Sequence, residues 1–200
     1  MNAKFFDLKK EKQDRMINGA LKVFAMQGYR HASTDEIVKE ADISKGLLFH
    51  YFGSKIGLYT FIYDYSVKFV TLELRACVDP LTSDLFDLMK QMEQAKMHVM
   101  KAYPYMQQFL NRAMQETVSE ALLAVEEKRA IWMEAWENWY QQVDLSLLPY
   151  GVDGIKLRKM LELTIKGLMS ERLEDHSFQP EMLYAEICDY LDMMKRIVYR

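Results

Sequence analysis

Ser33-Thr34-Asp35-Glu36-Ile37-Val38-Lys39-Glu40-Ala41-Asp42-Ile43-Ser44-Lys45-Gly46-Leu47-Leu48-Phe49-His50-Tyr51-Phe52-Gly53-Ser54-Lys55 is a stretch that carries its own start and stop signals. Ser33 to Glu36 fits a capping box, in which the Ser33 hydroxyl accepts from the Glu36 backbone N–H while the Glu36 carboxylate reaches back. The helix so opened turns Ile37, Val38 and Ala41 inward and extends only to about Ala41, before Asp42-Ile43-Ser44. Ser44 is an N-cap for a second helix, Lys45 to Phe52, which Gly53 stops before Ser54 caps the next. Two short helices joined by a turn of about three residues make a helix-turn-helix.

Outward from that core, the chain reads as helix throughout. Upstream, Ile17, Ala20, Leu21 and Phe24 form one apolar face of a helix over 7–27, with Gly28 as a left-handed C-terminal cap. Downstream, the pattern predicts helices over 54–78, 81–102, 104–115, 117–144, 153–174 and 180–198. Their breaks fall at Tyr103-Pro104, Pro149-Tyr150-Gly151 and Ser177–Pro180. No stretch alternates with period two, so the expected fold is all-α. It comprises an N-terminal three-helix bundle with the helix-turn-helix over 1–60, and a larger helical bundle over 61–200.

Composition agrees. Two hundred residues, half of them apolar and 28% charged, make a globular chain that needs no disulfide staples. Cys77 and Cys188 lie far apart and form no CxxC or metal-finger spacing, so they read as reduced packing residues and no metal is expected. The N-terminal segment lacks a secretory apolar stretch and no run suits a membrane span, which reads as a soluble cytoplasmic protein. The net charge of −3 conceals an asymmetry. Residues 1–60 hold ten Lys and Arg against seven Asp and Glu, a mildly positive lobe that leans toward a polyanion.

With those residues in view, Ser33 to Ile37, Ala41 to Gly46 and Leu48 to Lys55 resemble the DNA-binding signature of the TetR/AcrR family of bacterial transcriptional regulators. The resemblance covers residues 12–60. It implies base-edge contacts from Lys45, Gly46, Leu47 and Phe49, and phosphate contacts from Ser33, Thr34, His50, Tyr51 and Lys55. Leu48 and Phe52 would be the buried pair that seats the helix. Leu47 stands where threonine is frequent in the family and Phe49 where tyrosine is. Both changes delete a hydroxyl, so the helix should lean on apolar contact with thymine methyl groups, with Lys45 the candidate for a guanine.

Beyond residue 60 no catalytic constellation appears. His98 and His176 have no HExxH-like partner, the Glu126-Glu127 and Glu174-Asp175 pairs read as helix-surface charges, and there is no phosphate loop or nucleophile elbow. An enzyme is therefore not expected, nor a cofactor. The region is rich in adaptable bulk: Met89, Met92, Met100, Tyr103 and Phe109 crowd one span, and Trp132, Trp136 and Trp139 recur on one helical face. The resemblance implies a small-molecule pocket here, and thioether and aromatic groups suit an apolar or planar ligand. Core packing is the alternative reading of each of these residues.

Apolar seams at Ile155, Leu157, Leu161, Ile165, Leu168 and at Leu183, Ile187, Leu191, Met194 mark the last two helices. The resemblance implies that they pair with their symmetry mates in a homodimer, which would read half-sites one DNA turn apart. The whole expectation is a ligand-responsive regulator, a repressor on a double-stranded palindromic operator, released when effector favours a conformation that moves the reading heads out of register. A ~100-fold preference of ligand for one state would supply ~2.7 kcal/mol of such bias. Two alternatives stay open: a helical protein-interaction module that keeps the fold without specific DNA binding, and a thiol redox switch through Cys77 or Cys188.

Overall fold

A computed structural model describes residues 3–173 and 179–200. Among them are nine α-helices and no strand: α1 (Lys10–His31), α2 (Thr34–Glu40), α3 (Lys45–Phe52), α4 (Lys55–Cys77), α5 (Leu85–Ala102), α6 (Met106–Met114), α7 (Ser119–Asn138), α8 (Gly154–Leu173) and α9 (Pro180–Val198). Glu174, Asp175, His176 and most of the break expected at Ser177–Pro180 lie outside the described residues. The all-α expectation holds, and most boundaries fall within a few residues of those read from caps and prolines. α7 is shorter than its expected span of 117–144. The chain leaves the helix after Asn138 and forms 3₁₀ turns at Trp139–Gln142 and Leu145–Leu147, donating the Asp144 N–H to the Ser83 carbonyl at 2.9 Å.

Gly28 breaks α1 where the sequence placed a cap, with a different geometry. Its φ of +71° is positive, but its ψ of 175° lies outside the left-handed helical well, in a region occupied essentially by glycine alone. A Cβ there would also lie 2.9 Å from the Arg112 Nε. The regular helix therefore ends at Gln27, and one more turn carries Tyr29 to His31.

The chain forms two compact units. The first comprises residues 1–70 and 102–134, the second 71–101 and 135–200. This division differs from a cut at residue 60 because α6 packs along α1. In the first unit Phe24 of α1 meets Tyr59 edge-on at 5.1 Å, and Tyr59 meets Phe109 of α6 at 5.5 Å. These rings carry much apolar area and take the edge-to-face geometry their quadrupoles favour.

The core of the second unit joins Leu85, Phe86, Met89 and Met100 of α5 to Leu157, Leu161, Ile165, Leu168 and Met169 of α8 and to Leu183, Ile187 and Leu191 of α9. This corrects one sequence expectation: most of the seam assigned to a partner subunit is spent inside the chain. Only Ile155 of that set is largely exposed, at 76%. A second apolar set is left facing out: Ile155, Met160 and Leu163 on α8, and Met182, Tyr190, Met193 and Ile197 on α9. The α9 residues fall at i, i+8, i+11 and i+15, on one helical face.

Candidate nucleic-acid interface

The two short helices are capped by the serines the sequence pointed to. Ser33 accepts from the Asp35 N–H at 3.2 Å and Ser44 from the Leu47 N–H at 3.2 Å. The capping box itself does not close. The Glu36 carboxylate instead accepts from the Gln27 side-chain amide at 2.6 Å, a partner on α1 that competes with the return bond to Ser33. Because Ser33 accepts the cap bond, its own proton remains available to donate outward. Gly53, with φ of +74°, ends α3.

α3 buries Leu48 alone, at 1% exposure, and turns its other sides out. Lys45, Gly46, Phe49 and His50 are exposed, Phe49 at 37%, while Leu47, Tyr51 and Phe52 are half-buried. On α2 and its cap, Ser33 is exposed and Thr34 half-buried. Phe52 packs against Phe61 at 4.9 Å and Phe5 at 5.4 Å, so it seats the helix from its margin. Phe5 also meets Tyr51 edge-on at 5.8 Å and is itself 1% exposed. The sequence reading missed Phe5; its only signal was an adjacent pair of phenylalanines in an otherwise charged N-terminal segment.

Lys45 forms an ion pair with Asp35 at 2.7 Å, across the N-terminal ends of α3 and α2. Its side chain is 51% exposed and that of Asp35 70%. An exposed pair of this kind is worth about 0–1 kcal/mol, so an acceptor on a base edge competes easily for the ammonium.

Lys55 stands apart from the other residues expected at phosphates. Its Nζ donates to the carbonyls of Tyr29 at 2.9 Å and Ala32 at 3.1 Å, with that of Arg30 at 3.5 Å, and it lies 4.5 Å from the Tyr29 ring centroid. Its three protons face the carbonyl end of α1, where a cation is favoured by both the dipole and the unsatisfied oxygens. Lys55→Met is therefore expected to lower stability by about 1–3 kcal/mol in the absence of DNA. The salt slope of duplex binding should stay unchanged, whereas loss of a phosphate contact would reduce it by about 1. Thermal denaturation and a salt-dependent anisotropy titration distinguish the two roles.

The residues expected at a small-molecule site fall in both units. In the first, Tyr103 is buried and its hydroxyl bonds to Tyr65 at 2.7 Å and to Asp14 at 2.8 Å. Burial above all pushes its pKa up to about 12. Phe109 is buried among Phe24, Tyr59 and Tyr63, and Trp132 is half-buried. Tyr63 was not anticipated: it is fully buried, yet its hydroxyl has no hydrogen-bond partner. In the second unit Met89, Met92 and Met100 are buried, and Met89 and Met100 belong to its core. Trp136 and Trp139 are half-buried, Trp136 lying 5.0 Å from the ammonium of Lys96.

Two short, serine-capped helices, the second exposing Lys45, Gly46, Phe49 and His50 and seated by one buried leucine, form the helix-turn-helix arrangement of DNA-binding domains. Residues 16–60 match the sequence model of the bacterial regulatory proteins of the tetR family. The uncharacterized HTH-type transcriptional regulator YuxN of Bacillus subtilis (strain 168) is 51% identical over 49 residues, which is 24% of this chain and 17% of that protein. A TetR family transcriptional regulator from Chloroflexus aurantiacus has a TM-score of 0.61 at 20% identity, over 98% of this chain and 94% of its own. The fatty acid degradation regulator FadR from Bacillus halodurans has a TM-score of 0.54 at 19% identity, over 92% of this chain and 96% of its own. Residues 16–60 are thus similar to the DNA-binding segment of tetR-family regulatory proteins, and the chain as a whole has the fold of the solved regulators it resembles. The matched names are those of transcriptional regulators.

Proposed function

We propose that this chain is a ligand-responsive DNA-binding regulator, a repressor that leaves a palindromic operator when a small apolar or aromatic effector binds. The observation that carries the reading is the outer face of α3. Lys45, Gly46, Phe49 and His50 are exposed together on a helix of eight residues held from behind by Leu48. Such a helix enters the major groove by its N-terminal end. Lys45 reaches a guanine there, and Phe49 with the half-buried Leu47 meets thymine methyl groups. Ser33, Thr34, His50 and Tyr51 flank the groove and serve the phosphates.

The test is selection of sites from random duplex DNA, followed by anisotropy titration of the selected site at several salt concentrations. A thymine-containing half-site and an affinity falling steeply with salt are expected. Lys45→Ala should cost about 1–3 kcal/mol on the selected site, a loss of about 5- to 150-fold, and narrow its margin over unrelated sequence. Selection that enriches no sequence would favour the protein-interaction module instead.

For the effector, the supporting observation is Tyr63. A buried hydroxyl without a partner is rare because it costs about 1–3 kcal/mol. It lies beside Phe109, with ring centroids 6.5 Å apart, so an aromatic wall and a polar handle occur together. Tyr103 and Trp132 are further candidates for effector contacts in this first unit, and Met89, Met92, Met100, Trp136 and Trp139 are separate candidates in the second unit. Native mass spectrometry of the purified chain would show any small molecule carried with it, and Tyr63→Phe should weaken the hold on it. Homodimerisation uses the exposed apolar faces of α8 and α9. No helix among the described residues is long and apolar enough to cross a membrane, and the cytoplasm is the proposed location.

A further inference from the structure

Glu73 and Cys77 lie one turn apart on α4, and His98 of α5 faces them. One donor atom from each comes within 4.8 Å of the other two, and all three residues are half-buried. Cys77 Sγ is 3.5 Å from His98 Nδ1, and the same nitrogen is 3.4 Å from Glu73 Oε2. These separations can be compared with the edges of a zinc tetrahedron. With Zn–S of about 2.3 Å and Zn–N or Zn–O of about 2.0–2.1 Å, neighbouring ligand atoms stand about 3.3–3.6 Å apart. Both observed edges fall in that range before any ion is placed. Among the described residues this is the one group of three such side chains.

We propose that Glu73, Cys77 and His98 form a binding site for a borderline divalent transition metal of the zinc class. The donor set decides the class. Magnesium and calcium take oxygen ligands in octahedral or larger shells, whereas a thiolate, an imidazole and a carboxylate suit zinc. Three protein ligands leave a fourth position for water or an exchangeable group. A metal is ligated by the thiolate and not by the thiol, so the ion releases the Cys77 proton as it binds. Cys188 is a built-in control: it is the chain's other thiol, and the hydroxyl of Tyr184 bonds to it.

The full chain, stripped with a chelator, is titrated with cobalt(II) and then with zinc(II) in competition. One equivalent of cobalt should bind, giving a thiolate-to-metal charge-transfer band and the strong visible bands of a tetrahedral ion, and one equivalent of zinc should remove both. Cys77→Ser should abolish the charge-transfer band. His98→Gln should weaken zinc binding by more than the 10- to 100-fold typical of losing an outer-shell partner. Cys188→Ser should leave spectrum and affinity unchanged. A wild-type chain without the charge-transfer band overturns the site, as does a band that survives Cys77→Ser or disappears with Cys188→Ser. The wild-type and Cys188→Ser spectra decide this even if the other two variants fail to fold.

Discussion

Replacing Gly57 with alanine is expected to lower the melting temperature by about 6–12 °C, corresponding to about 3 kcal/mol in a chain of this size. Three constraints meet at the turn between α3 and α4. Gly53 ends α3 at a positive φ, the Ser54 hydroxyl accepts from the Gly57 N–H at 3.1 Å, and the α carbon of Gly57 passes close under the last carbonyl of α3. A Cβ at position 57 would lie 2.1 Å from the Phe52 carbonyl oxygen, far inside van der Waals contact and against backbone, which cannot rotate away as a side chain could. Relief requires moving either the end of α3 or the start of α4. Moving α3 displaces Phe52 from Phe5 and Phe61 and tilts the exposed face that carries Lys45 and Phe49, so duplex affinity should fall with stability. Circular dichroism melting checks the first effect and anisotropy the second. A variant melting within about 1 °C of wild type would show that the two helices do not approach as described.

What the sequence revealed and what it hid divide along the range of the interactions. Ser33, Ser44 and Gly53 act on backbone within three or four residues, and each caps or ends the helix its position implies, Ser33 through the Asp35 N–H in place of that of Glu36. Leu48 is likewise the sole buried residue of α3, since one apolar position suffices to seat eight residues. Lys55 is the opposite case. At a helix N-terminus a lysine looks like a phosphate ligand, and only the return of the α1 carbonyl end to within 3 Å shows what it holds. Glu36 lost its place in a capping box to Gln27 in the same way. Glu73 and Cys77 stand at i, i+4 in the sequence with nothing to mark them as a pair, and His98 joins them only because α5 runs back beside α4. Periodicity showed that α8 and α9 have apolar faces; it could not show which apolar set an adjacent helix would cover, because α9 carries two.

That second apolar set leads to the other large expected effect. Leu163→Glu and Met193→Glu should each convert a dimer into a monomer in sedimentation equilibrium, with little change in helicity. The reason for placing the interface here is the uneven exposure of the two helices. Leu157, Leu161, Ile165, Leu183, Ile187 and Leu191 are already buried within the chain, so a partner gains nothing from them. Leu163 is 55% exposed, Met182 62% and Ile197 63%, in a stripe long enough to bury several large side chains at about 1.5–3 kcal/mol each when fully covered. A carboxylate in that stripe would have to lose its water without gaining a partner, a cost that outweighs the gain from its neighbours. The consequence at the operator is larger than at the interface. One α3 reads a few base pairs, and two joined reading heads bind a two-fold site with an avidity gain of about 10²–10⁴. The monomeric variants should therefore lose about that factor on the full palindrome while binding an isolated half-site as wild-type heads do. If both variants remain dimeric, these faces do not form the interface. If they become monomeric and keep full operator affinity, each α3 recognises its site without a partner and the two-fold reading fails.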